Sequence, residues 1–323
     1  MPNAEFINKS LVELEPTTKE SGVLPLPDPF VLESGESLRD AKLAWQCAGP
    51  SQAPVIVVLG GISAHRDCNG WWNAQCGTGR ALDTEHFRLL SIDWLGGCDD
   101  STGPNSGEVF PSVSTTDQAR AILLLLNRLG LRHVHAIVGA SYGGAVAQHL
   151  AALLGRRLGH LVALSAAHKP SQFALALRDI QRSILDLGDD STTALALVRA
   201  LAIVGYRTPE GFERRFADTD GAATWLAGHG RAFAERFNAS SYRCLSTSLD
   251  SHRIDPAAIA VPTTVFSVAE DLLVPPSLSR EFAQAIDGPC ELVEIASHYG
   301  HDAFLKEEAI VGDLLCRIVE KQS

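Results

Sequence analysis

Residues 134–144 read VHAIVGASYGG, and the meaning of that stretch decides the fold of this chain. An apolar run ends in Gly139-Ala140-Ser141-Tyr142-Gly143, and residues 142–154 continue with the periodicity of a helix. A serine at a sharp strand-to-helix turn has its hydroxyl exposed, and the flanking glycines keep the neighbouring backbone from clashing. The helix N-terminus behind the turn adds a field that favours developing negative charge. The competing reading is a plain tight turn, because Gly and Ser are common turn formers. With a strand before it and a helix after it, Ser141 is the candidate nucleophile.

Other short β-branched runs lie on either side: residues 54–59 (PVIVVL), 88–93 (RLLSID), 161–166 (LVALSA), 262–268 (PTTVFSV) and 292–297 (LVEIAS). Unbroken apolar runs of this length suit strands buried on both faces of a parallel sheet. Ile122, Leu125, Leu126 and Leu129 recur at i, i+3, i+4 and i+7, which is one face of a helix. Strands alternating with helices predict an α/β fold with a mostly parallel central sheet flanked by helices. Residues 169–246 break this rhythm, being helical in pattern with no buried-strand run. The spacing predicts a core of residues 1–168 and 247–323, with 169–246 as an inserted helical lid over the carboxyl edge of the sheet, where ligands of open sheets bind.

Composition narrows the function. The 323 residues carry a net charge of −11, which disfavours general binding to nucleic acid or anionic membranes. Seven scattered cysteines with no C-x-x-C pair suggest neither a disulfide framework nor a zinc site, so no metal is expected. The start, MPNAEFINKS, has no apolar signal-peptide core, and the run AILLLL is too short to span a bilayer. A soluble cytoplasmic protein is the expectation.

A serine nucleophile needs a base, and the base needs an orienting carboxylate, in the chain order Ser, Asp or Glu, His for this kind of turn. The run PTTVFSV leads into Glu270 and Asp271, and the run LVEIAS leads into His298 and His301. Asp271 and His301 are the candidates, with Glu270 and His298 as their nearest rivals. Two backbone N–H groups should stabilise the oxyanion. Tyr142 follows the nucleophile and supplies one; Ile62, give or take a residue, supplies the other from the Gly60-Gly61-Ile62-Ser63-Ala64 loop.

Several phrases together carry a resemblance. LGGISAHRD, the DSTGPNS segment at 100–106, GASYGG, GYRTPEGFERRF at 205–216, SLDSHRID at 248–255 and GHDAFL at 300–305 resemble the homoserine O-acyltransferases of the α/β-hydrolase superfamily. The likeness runs from about residue 25 onward. It implies an α/β-hydrolase fold with a helical lid, and a ping-pong reaction in methionine biosynthesis. Ser141 would take the acyl group of an acyl-CoA co-substrate and pass it to homoserine, with no permanently bound cofactor and a homodimer as the working form. Arg207 would bind the homoserine carboxylate, and Asp302 its amino group. The resemblance favours acetyl-CoA, with succinyl-CoA second and Arg66 as the candidate to hold a succinyl carboxylate. The chain is shorter than typical members in the lid, and its elbow reads GASYGG where many members carry GGSMGG. An esterase of the same fold, using water as acceptor, is the main alternative, and an acyltransferase acting on serine or another small alcohol is a further one.

Overall fold

The computed structural model describes residues 18–105, 109–187, 191–216 and 221–320. The polar start of the chain and Ser106 of the DSTGPNS segment lie outside them. Eight strands form one sheet: β1 (Lys19–Pro25), β2 (Lys42–Ala48), β3 (Val55–Leu59), β4 (Arg88–Ile92), β5 (Val134–Ala140), β6 (Leu158–Leu164), β7 (Thr263–Val268) and β8 (Cys290–Ile295), in the order β1-β2-β4-β3-β5-β6-β7-β8. The pairs β1·β2 and β2·β4 are antiparallel, and every other pair is parallel.

Strand β3 shows how the sheet is built into two cores. Its residues Val55, Val57 and Leu59 enter one apolar cluster, while Ile56 and Val58 enter the other, as the alternation of side chains along a strand requires. The first cluster takes Ile122, Leu125 and Leu126 of α1 (Thr115–Arg128) and Val146 and Leu150 of α2 (Tyr142–Leu154). The second takes Val311, Leu314, Leu315 and Ile318 of the C-terminal helix Glu308–Glu320. Helix α1 begins at a complete capping box, with Ser114 and Asp117 each accepting from the other's backbone N–H.

Two features depart from the reading of the apolar runs. Strands β1 and β2 carry no such run; β1 is an edge strand, largely exposed, held by seven residue pairs to β2. At the other edge β8 is only half-buried, with Glu291 and Glu294 exposed. An edge strand covered on one side has no need of continuous apolar sequence.

Between β6 and β7 the described residues form helices and no strand: α3 (Gln172–Leu187), α4 (Ser191–Tyr206), α5 (Pro209–Arg215), α6 (Gly221–Ala234) and α7 (Ala239–Ser251). No helix among the described residues is long and apolar enough to cross a membrane.

Candidate active site

The chain leaves β3 toward β4 on one side and places β5 on the other, so the strand order reverses between β3 and β5. A crevice opens at the carboxyl ends of strands at such a reversal. Ser141 leaves β5 there, and the Gly60–Ala64 loop leaves β3 beside it, tied to the turn by Gly143 N–H donating to Gly60 O at 2.8 Å.

The turn is strained and its glycines are sterically required. Ser141 has φ 52° and ψ −117°, a backbone conformation that L residues rarely adopt. A Cβ at Gly139 would come within 2.5 Å of Gly143 O, one at Gly143 within 2.3 Å of Leu59 O, and one at Gly144 within 2.4 Å of the Ala166 Cβ. The turn therefore packs too tightly against β3 and β6 for any other residue. Tyr142 turns away from the crevice into the core, where its hydroxyl meets Ser248 Oγ at 2.9 Å and accepts from Gln118 Nε2 at 3.2 Å.

Asp271 and His301 arrive from the loops after β7 and β8. His301 Nε2 lies 2.9 Å from Ser141 Oγ, and His301 Nδ1 lies 2.7 Å from Asp271 Oδ2. Asp271 Oδ1 accepts from the backbone N–H of Leu273 at 2.8 Å and Val274 at 2.9 Å, which fixes the carboxylate before it meets the imidazole. Burial opposes the charged form of His301, but the charge of Asp271, their hydrogen bond and the charge of Asp302 outweigh it and raise the pKa above the ordinary 6.5. The rivals are engaged elsewhere. Glu270 Oε2 accepts from Ser297 N–H at 2.7 Å, and the His298 ring packs against the Tyr299 ring with 4.0 Å between centroids.

Ser141 and His301 open into a cavity of about 280 Å³, a size suited to small ligands. Ile62 stands on its wall beside Gly61 and Ala64, and Asp302 lines it as well. Arg207 does not line it. Its Nε donates to Asp302 Oδ2 at 2.7 Å, and its guanidinium lies over the Tyr299 ring, so it braces Asp302 from behind. Arg178, Arg199 and Arg236 do line the cavity, and Arg199 of α4 is the one whose guanidinium faces the Tyr206 ring. It lies 5.0 Å from the Phe233 ring centroid and 5.8 Å from that of Tyr206, and no carboxylate among the described residues pairs with it. Arg66 is also off the wall: its Nη1 binds Asp93 Oδ2 at 2.6 Å and its Nη2 binds Asp100. Its charge is already spent inside the fold, so the succinyl carboxylate expected there has no place.

The phrase TPEG docks on the histidine loop. Thr208 caps α5 by accepting from Gly211 N–H at 2.9 Å, and a Cβ at Gly211 would come within 2.4 Å of His298 O. Gly300, with φ 57°, passes within a Cβ's reach of Tyr206 O, 2.6 Å. The inserted helices thus set the position of His301 itself. Among the described residues, no group of three or more His, Cys, Asp or Glu side chains is placed to hold a metal ion.

A serine held at a strained elbow against a His–Asp pair, at the switch point of a mostly parallel sheet, is the arrangement of the α/β-hydrolase fold, and the family model for that fold matches residues 54–308. Close relatives narrow the class. A homoserine O-succinyltransferase from Xanthomonas campestris is 39% identical over 289 residues, covering 83% of this chain and 76% of that protein. A homoserine O-acetyltransferase from Mycobacterium sp. strain KMS is 31% identical over 361 aligned residues, covering 94% and 96%. The chain belongs to the homoserine O-acyltransferase family and is an O-acyltransferase. Among solved structures, a homoserine O-acetyltransferase from Staphylococcus aureus superposes with a TM-score of 0.84 at 22% identity over 94% of this chain and 95% of that one. The acetyl esterase MekB superposes at 0.80 with 16% identity over 95% and 97%. At such identities both show the fold alone.

Proposed function

We propose that the chain transfers an acyl group from an acyl-CoA to the hydroxyl of homoserine through an ester on Ser141, in a ping-pong cycle serving methionine biosynthesis. The observation that carries this reading is the presence, in one cavity with Ser141 and His301, of a guanidinium with no carboxylate partner among the described residues, Arg199, and of a carboxylate, Asp302. An α-amino acid presents the complementary charges.

In the first half-reaction His301 Nε2 takes the Ser141 proton as Oγ attacks the thioester carbonyl. The C–S bond breaks, and the proton passes from His301 to the departing CoA sulfur. The N–H groups of Tyr142 and Ile62 hold the oxyanion of the tetrahedral intermediate. In the second half-reaction His301 takes the proton of the homoserine hydroxyl, that oxygen attacks the acyl-Ser141 carbonyl, and the serine oxygen leaves with the proton. Asp271 keeps the imidazole in the tautomer that carries its proton on Nδ1.

Arg199 takes the homoserine carboxylate, where a planar guanidinium binds bidentately. Asp302 takes the ammonium on the oxygen that Arg207 leaves free. Residues 169–246 serve as the lid: they supply Arg199, and they shield the acyl-enzyme from water, which separates a transferase from an esterase sharing the same three catalytic residues.

Arg199→Ala tests the acceptor site. Losing a charged, desolvated partner costs about 2–5 kcal/mol, expected as a higher KM for homoserine and a long-lived acyl-enzyme. The burst of CoA released before homoserine is added should stay near wild type, because that step needs no amino acid. Arg207→Ala should show a weaker form of the same defect, acting through Asp302. Unchanged homoserine kinetics in Arg199→Ala would remove the basis for an amino-acid acceptor.

A further inference from the structure

One part of the cavity wall has no role in the steps above. Arg178 and Arg182 stand one turn apart on α3, and Asp250 of α7 bridges them. Arg178 Nε donates to Asp250 Oδ1, and Arg182 Nη1 lies 2.7 Å from Asp250 Oδ2 and donates to Ser246 Oγ at 2.9 Å. The three side chains are 11%, 17% and 15% exposed, so this is a largely desolvated cluster with two positive charges and one negative. Among the described residues the only other carboxylate within 4 Å of it is Asp179, 3.6 Å from Arg182 Nη2 and 77% exposed, where water screens the attraction. Arg178 Nη2 is buried and makes no hydrogen bond among the described residues. A buried excess charge with an unused donor calls for an anion.

Arg178 lines the same cavity as Ser141 and His301, beside the apolar Leu177 and Leu249, and its charge reaches His301. Arg199 stands on a different helix. In a ping-pong cycle the acyl group is still on Ser141 when the acceptor enters, so an acyl carboxylate and an acceptor carboxylate would occupy the cavity together. One guanidinium cannot serve both.

We propose that Arg178 is the specificity-determining residue for the acyl donor, binding the free carboxylate of a short dicarboxylic acyl thioester of the succinyl class while Leu177 and Leu249 line its methylenes. This rests on the transferase reading and replaces the preference for acetyl-CoA that the resemblance suggested. Asp250 and Arg182 act as positioning residues that hold the Arg178 guanidinium toward the cavity.

The test compares succinyl-CoA with acetyl-CoA on the full chain, by thiol release with homoserine present and by intact mass of the acyl-enzyme without it. Wild type should use succinyl-CoA with the higher kcat/KM. Arg178→Leu should lower kcat/KM for succinyl-CoA about 10- to 100-fold, the worth of a hydrogen-bonded charged partner, and collapse the ratio of succinyl to acetyl. Arg178→Lys, which keeps the charge without the fork, should recover part of the loss, and decides the matter if the leucine variant does not fold. A wild type that uses acetyl-CoA equally well, or an Arg178→Leu variant that slows both donors by one factor, would overturn the assignment. The mass measurement separates the two claims. A succinyl-enzyme that forms through Arg178 yet ignores homoserine would sink the acceptor reading and leave the donor site standing.

Discussion

Ser141→Ala is expected to abolish transfer, with a loss on the order of 10⁶ in turnover, as removal of the nucleophile does in triads of this type. The variant should fold. Ser141 is half-buried at the mouth of the crevice, its strained backbone is imposed by Gly139, Gly143 and Gly144 around it, and alanine changes only the oxygen. Wild type incubated with acyl-CoA alone should gain one acyl group by intact mass and release one equivalent of thiol. The alanine variant should do neither while keeping its melting temperature within a few degrees. An acyl adduct of equal yield on the variant would place the nucleophile elsewhere.

Asp271→Asn is expected to cost on the order of 10⁴ in turnover, because an amide favours the wrong imidazole tautomer. It should also move the pH profile. In the proposed mechanism the neutral form of His301 is the base, so wild-type kcat/KM should fall as pH drops through its pKa, which stands above the ordinary 6.5. The substitution removes the charge of Asp271 that raises that pKa and leaves the burial that lowers it. The acid limb should therefore shift to lower pH. A variant with full turnover and an unmoved profile would hand the role to another carboxylate.

The elbow and its partners were legible because backbone geometry constrains them. Only glycine fits at three positions around Ser141, and the strand ends deliver Asp271 and His301 in the expected order. The antiparallel strands β1 and β2 were not legible, since β1 is held by main-chain pairing to a neighbour and needs no apolar run. Arg199, the carboxylate-binding residue of the proposed acceptor site, was not legible for a different reason. It is the sole charged residue of STTALALVRALAIVGY, and a charge on an otherwise apolar helix, seven residues before Tyr206 and so on the same face, was the available signal. Arg207 drew attention because it lies in a distinctive phrase. That phrase owes its distinctiveness to docking on the histidine loop through Thr208, Gly211 and Asp302. SLDSHRID has a similar explanation: Ser248 ties down the tyrosine of the elbow, Asp250 bridges Arg178 and Arg182, and His252 Nε2 lies 3.1 Å from the Ala167 carbonyl. Such roles depend on contacts between segments far apart in the chain, which spacing alone does not reveal.

In the proposed reaction Ser141 passes its acyl group to homoserine rather than to water. Thiol release from acyl-CoA, followed as homoserine is titrated in, tests it most directly. The expected result is a single-turnover burst without homoserine, then steady turnover that saturates with homoserine and yields its O-acyl ester in equal amount to the thiol. Steady turnover of the same rate with and without homoserine, with free acid as the product, would contradict it.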